Sequence, residues 1–276
     1  MTKRALCIGI NDYPGTENDL SGCVNDAHDW SETLTERGFA VATLLDAEAT
    51  KAAMVAAIGG LIDAAESGDS LVITFSGHGT FVPDTSGDEP DGQDEALCPY
   101  DIHHGSVLLD DEIHLLFKRR AAGVRVVLLS DSCHSGSVIR WAQPDPDSDA
   151  PRARFLPPAA WLPEARLPHN AAGQVPATVE SGRGLLSAWI GGLSLSGGDL
   201  LLSGCKDNEY SYDARFRGRP NGAFTYYARR TLQRLGPRAT YADWYGAIRN
   251  HLPGASYPQT PQILGSRNAR AFPVLG

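Results

Sequence analysis

Two short polar clusters, SGHG at residues 76–79 and SDSCHSG at 130–136, each close an apolar run and set a histidine, an acid and a cysteine where the chain leaves its core. A thiol is a weak nucleophile near neutral pH until a base or a positive neighbour raises its thiolate fraction. His78 and Cys133 are therefore a sufficient pair for acyl transfer, provided the two apolar runs are neighbouring strands. Gly77 and Gly79 flank the histidine and Gly136 follows the cysteine. Glycines there permit tight turns and leave backbone amides open, which makes the amides of Gly79 and Cys133 the candidate oxyanion hole. His134 is a competing base, weakened because adjacent side chains diverge. The plain alternative is a loop that happens to hold a thiol, and the surrounding elements decide between the two.

RALCIGI (4–10), FAVATLL (39–45), DSLVITFSGHG (69–79), the apolar run before SDSCHSG, and DLLLSGC (199–205) read as strands. Helical patterns lie between them, from Ser21 to Arg37, from Thr50 to about Ser67, and over 110–120, where acids enter and bases leave as the helix dipole favours. Two amphipathic helices follow at 221–235 and 242–252. This alternation predicts an α/β fold, a mostly parallel sheet flanked by helices on both faces. In such a sheet, ligands collect beyond the carboxyl ends of the strands, and NDYPG, SGHG and SDSCHSG all fall there. Residues 141–184 break the pattern, holding eight of the chain's 18 prolines, and read as an exposed linker or activation loop between parts 1–140 and 185–276.

At 276 residues, 42% hydrophobic and 21% charged, the chain suits one large domain or a domain with a subdomain. A net charge of −9 argues against nucleic acid or an anionic membrane as partner. The apolar run near the amino terminus, about six residues, is short for a signal peptide, and no stretch reaches spanning length, so a cytoplasmic location is expected. Five cysteines without a CxxC pair argue against a disulfide framework or a cysteine-rich zinc site. A cysteine phosphatase needs Cys, five residues, then Arg. Arg140 stands one residue too late, and Asp131 and Asp26 would repel phosphate.

GHG at one strand end, DSCHSG about 55 residues on, GCVNDA on the first helix and SGCKDNE on a later strand together resemble the caspase-like cysteine peptidases, specifically the metacaspase and bacterial orthocaspase branch. The resemblance covers nearly the whole chain outside 141–184. It implies Cys133 as nucleophile, His78 as acid and base, and a specificity pocket of Asp131, Asp26, Cys23 and Ser76. It also implies a large-subunit-like part before the linker and a small-subunit-like part that completes the same sheet. Cys23 and Asp26 are three apart, on one face of a first helical turn. Two carboxylates suit a guanidinium or ammonium and repel an aspartate, so cleavage after Arg or Lys follows.

Members of that branch often bind calcium, and Asp94, Asp110 and Asp111 match three of the acids. The fourth position, seven residues after the nucleophile, is Arg140, and a base weakens a hard-cation site. Asp110 and Asp111 also serve as helix-capping acids in either case. The chemistry itself requires no cofactor. Arg152, Arg154, Arg166 and Arg183 in the proline-rich stretch are candidate processing sites, for self-cleavage or an upstream protease. A solvated linker is the alternative. The expected partners are proteins or peptides with basic residues, met by a monomer. The rival reading is an inactive caspase-like binding or scaffold module.

Overall fold

The computed structural model describes residues 1–14, 17–83, 93–133, 150–162 and 198–276. His134, Gly136, Arg140, Arg166 and Arg183 lie outside them. The strands β1 (Lys3–Gly9), β2 (Ala40–Leu45), β3 (Ser70–Ser76), β7 (Arg125–Asp131), β9 (Leu200–Ser203) and β12 (Gln262–Gly265) form one sheet in the order 12-9-7-3-1-2. All neighbours are parallel except β12, which closes the edge antiparallel to β9. The smaller strands form two antiparallel sheets. One is β4 (Gly79–Pro83), β5 (Gln93–Leu97) and β6 (Leu108–Leu109), and the other is β8 (Arg152–Ala153), β10 (Tyr212–Phe216) and β11 (Arg219–Gly222).

Strand alternation divides the core in two. Leu6, Ile8, Ile73, Phe75, Val126 and Leu128 face one layer with Met54, Ile58, Ile113 and Phe117, which come from α2 (Lys51–Asp63) and α3 (Asp110–Lys118). Cys7, Val72, Val127 and Leu129 face the other. There they meet α1 (Cys23–Glu36), α4 (Ala223–Leu232) and α5 (Tyr241–Arg249), through Ala27, Trp30, Leu34, Phe224, Ala228, Trp244 and Ile248. A strand buried on both faces has no solvent side to mark with polar residues, which is why these runs are continuously apolar. Cys23, Ala27, Trp30 and Leu34 give α1 its buried stripe. A short helix α6 (Arg267–Arg270) follows β12.

The run over 69–79 is a buried strand that ends in its glycine-rich turn: β3 ends at Ser76, the chain turns through Gly77 and His78, and β4 starts at Gly79. Two details differ from the sequence expectations. Cys205 lies beyond β9 rather than inside it, although Gly204 still donates to the Ser130 carbonyl at 2.8 Å. Residues 150–162, within the stretch expected to be exposed, are instead built into the protein. Leu156 and Arg154 are wholly buried, and Trp161 is 8% exposed. Composition could not show this, because the partners of that stretch lie far away in sequence.

Candidate active site

The sheet sets the frame. Gly9, Ser76 and Asp131 are in register across β1, β3 and β7, so the residues that follow them emerge side by side. The chain order reverses beside β1, with β2 on one flank and β3 on the other, and a crevice opens at such a reversal. Asn11, just past β1, caps α1 by accepting from Cys23 N at 2.8 Å and Val24 N at 3.3 Å. This fixes the first turn of α1, and with it Cys23 and Asp26, against the crevice.

His78 is wholly buried. Its backbone N–H donates to the Tyr13 hydroxyl at 2.8 Å, and the two rings lie 4.8 Å apart. A Cβ on Gly77 would come within 2.6 Å of that hydroxyl, so glycine is needed for the approach. The imidazole Nε2 lies 2.6 Å from the Asn18 carbonyl. A carbonyl can only accept, so the proton sits on Nε2 and the lone pair on Nδ1. Among the described residues, Nδ1 is buried with no hydrogen-bond partner. Burial lowers the pKa from 6.5 to about 4, against the pull of the Asn18 carbonyl, so the ring is a neutral base at physiological pH.

Cys133 follows β7 and is likewise buried, in a small cluster with Ala153, Phe155, Cys205, Tyr210, Tyr212 and Ala223. Its thiol donates to the Ser211 carbonyl at 3.4 Å. Among the described residues no hydrogen bond joins it to His78. Cys205 approaches the same place, its sulfur 3.5 Å from the Ser132 carbonyl, and its own pKa is raised, first by the hydrogen bond with Cys133 and then by burial.

Arg154 fills the space between these groups. Its carbonyl accepts from Gly79 N at 3.0 Å and from Cys133 N at 3.1 Å, the two amides expected to form an oxyanion hole. Its N–H donates to the Ser211 carbonyl at 2.9 Å, and Leu156 N–H donates to the Gly79 carbonyl at 2.9 Å. Upstream, Ala153 and Arg152 pair with Tyr212 and Asp213 as antiparallel strand neighbours. The segment thus crosses the crevice as an added strand, pinned on both sides of the Arg154 carbonyl.

The Arg154 guanidinium has no solvent exposure. It lies 2.7 Å from Asp26, 3.1 Å from Asp213 and 3.3 Å from Asp131, and donates to the Asp131 carbonyl at 3.1 Å. Each acid is held from behind. Asp131 accepts from Thr225 N and Oγ1 at 2.9 and 2.8 Å, Asp26 from Gly222 N at 3.0 Å and Asn221 Nδ2 at 2.8 Å, and Asp213 from Ser21 N at 2.8 Å. Burial works against the charge on Arg154, but the acids led by Asp131 outweigh it and raise its pKa well above the usual value. Burial pushes Asp26 upward, and the guanidinium pulls it back. Cys23 forms part of these surroundings, its thiol pushed up by burial. Ser76 stands beside Asp131 in the sheet register.

A profile described as "Metacaspase, peptidase C14 domain" matches residues 3–142. Metacaspase-1 of Cryptococcus neoformans is 32% identical over 290 residues, spanning 96% of this chain and 62% of the relative's length. The chain belongs to the metacaspase family. A solved protein of Geobacter sulfurreducens aligns with a TM-score of 0.69 at 32% identity, over 96% of this chain and 94% of that one. Caspase-1 of Spodoptera frugiperda aligns with a TM-score of 0.55 at 12% identity, over 96% of this chain and 85% of that one, a likeness of fold alone. The fold is caspase-like, a central mostly parallel sheet between helices.

Sequence reasoning about this metacaspase missed Asp213 and Ser211. Their signal was present: a serine and an acid stand two apart in YSYDARF, just after the quoted SGCKDNE, with Asp213 on β10 and Ser211 immediately before it. It also missed Gly222, where a Cβ would collide with Asp131 Oδ2 and lie 2.5 Å from the Arg154 guanidinium. For calcium, Asp94 lies on β5, while Asp110 and Asp111 open α3. The Asp110 carboxylate accepts from Asp111 N at 3.0 Å, in helix-end service. Among the described residues, no group of three or more His, Cys, Asp or Glu side chains is arranged to hold a metal ion. No helix among the described residues is long and apolar enough to cross a membrane.

Proposed function

We propose that the chain is a cysteine endopeptidase that cuts proteins or peptides after arginine or lysine, with Cys133 as nucleophile, His78 as acid and base, and the Arg154–Phe155 bond as its own processing site. The supporting observation is the placement of Arg154. Its side chain is ringed by three acids, and its carbonyl lies between the Gly79 and Cys133 amides. A substrate with a basic residue before its scissile bond would occupy the same positions. The acids would repel an aspartate there. Of the two described processing candidates, Arg152 is held outside the pocket, donating to the Asp19 carbonyl at 2.6 Å.

The chemistry needs no cofactor. The thiol leaves the Ser211 carbonyl and gives its proton to Nδ1 of His78, while sulfur bonds to the scissile carbonyl carbon. The oxygen's growing negative charge is met by the Gly79 and Cys133 amides. The C–N bond breaks as His78 returns the proton to the leaving amine. Water then attacks the thioester, again losing a proton to His78, and the acid product and free thiol are released.

Fluorogenic peptides ending in Arg, Lys or Asp, offered to wild type, Cys133→Ala and His78→Ala, test this reading. Arg and Lys peptides should be cut by wild type alone. Activity that survives Cys133→Ala, or a preference for Asp, refutes the proposal.

A further inference from the structure

We infer that this site carries a second specificity element, an aromatic slot for the residue that follows the basic one, so that its preferred substrates read Arg then a large aromatic side chain. The inference rests on the function proposed above and extends it to the leaving side of the bond.

Phe155 directly follows the Arg154 carbonyl. Its ring stacks on Phe81 with centroids 6.1 Å apart and planes 14° apart, and meets Tyr210 at 6.1 Å and 41°. The walls come from separate parts of the chain: Phe81 lies on β4, two residues after the Gly79 amide, and Tyr210 lies just before Ser211. Both are therefore tied to backbone that touches the scissile residue. Phe155, Tyr210 and Cys133 belong to one small apolar cluster, against which Phe81 packs, separate from the two core layers. The backbone here is also held as a substrate's would be, with Phe155 bridged to Gly79 in parallel pairing and Leu156 N–H donating to the Gly79 carbonyl at 2.9 Å.

A site bordered by one stacked ring and one tilted ring gains from a flat apolar side chain through ring contact and area removed from water. It offers a carboxylate nothing to replace its water, so acids in this position are disfavoured. Since the slot adjoins the leaving amine, a well-seated ring also fixes the scissile bond against the thiol, so part of the gain appears in kcat as well as KM.

The test uses internally quenched peptides containing Ala-Arg-Phe-Leu, Ala-Arg-Gly-Leu or Ala-Arg-Asp-Leu, with wild type, Phe81→Ala and Tyr210→Ala. For wild type, kcat/KM for the Phe peptide should exceed that for the Gly peptide about tenfold, with the Asp peptide slowest. Either variant should bring the Phe-to-Gly ratio toward one. Arg peptides cut at rates independent of the next residue, or a ratio unmoved by both variants, overturn the aromatic slot and leave the proposed peptidase standing. If no Arg peptide is cut at all, the peptidase reading fails instead.

Discussion

The Arg154 guanidinium and the Asp26 carboxylate meet at 2.7 Å with both side chains wholly buried, although 128 residues separate them in the chain. A buried ion pair is a poor source of net stability, because two charges must leave water. Removing one partner is costly all the same, since the other is left uncompensated. Here one cation faces three acids, so the surrounding donors, Thr225, Asn221, Gly222 and Ser21, hold the excess negative charge. These donors bond the acids independently of the guanidinium.

The first expectation concerns processing. Incubated wild-type protein should yield two pieces, the second beginning at Phe155, while Cys133→Ala and Arg154→Gln stay intact. Intact-mass measurement and amino-terminal sequencing read this directly. A second piece starting after Arg152, or a cut that persists in Cys133→Ala, contradicts it.

Asp213→Asn removes a carboxylate that was not foreseen as part of the pocket. In an uncut Cys133→Ala background it should destabilise the protein by about 3 kcal/mol in urea unfolding, the usual cost of breaking a buried charge pair from one side. In an otherwise wild-type chain it should lower kcat/KM for Arg peptides about a hundredfold. Unchanged values in both measurements would place Asp213 outside the recognition of the base.

Gly222→Ala probes shape with little change of chemistry. Gly222 has φ −70°, which any residue adopts, so the backbone tolerates alanine. The added methyl would instead press on Asp131 and on the guanidinium. Overpacking of this kind costs about 1–3 kcal/mol, so Arg peptides should be cut about tenfold to a hundredfold more slowly. Lys peptides, with a slimmer head group, should suffer less, and the Arg-to-Lys rate ratio is the measurement that decides.

His78 makes the intact protein sensitive to acid. Its folded pKa is about 4 against a usual 6.5, so between those values the unfolded chain holds the extra proton and stability falls as pH falls. Measured against His78→Asn in the Cys133→Ala background, the loss should approach about 3 kcal/mol from pH 6.5 to 4 and level off below. A pH-independent difference between the two proteins would show that the ring is not held neutral by burial.

Much of the fold is legible in the order of residues. The unbroken apolar runs, the Thr50 cap and the acidic start of α3 mark strands and helices because their causes are local, and Thr50 indeed accepts from Ala53 N at 3.3 Å. His78 and Cys133 stand out for a related reason: polar residues at the ends of buried runs have little other business there. Asp213 and Ser211 were harder to see, since a short strand such as β10 leaves only a faint alternation.

The sequence alone determined which groups are available: a thiol, an imidazole, acids near two strand ends, and arginines in a proline-rich stretch. Only the tertiary structure decided which arginine meets which acids. The reason is physical. Ion pairing and backbone donation act across space between β7, α1, β8 and β10, and nothing local in PRARFL distinguishes Arg152, which reaches the Asp19 carbonyl, from Arg154, which is wholly enclosed. Strand alternation would put these two arginines, two residues apart, on the same face, so what separates them is the end of β8 at Ala153 and the groups each then meets, the Asp19 carbonyl for one and the buried acids for the other.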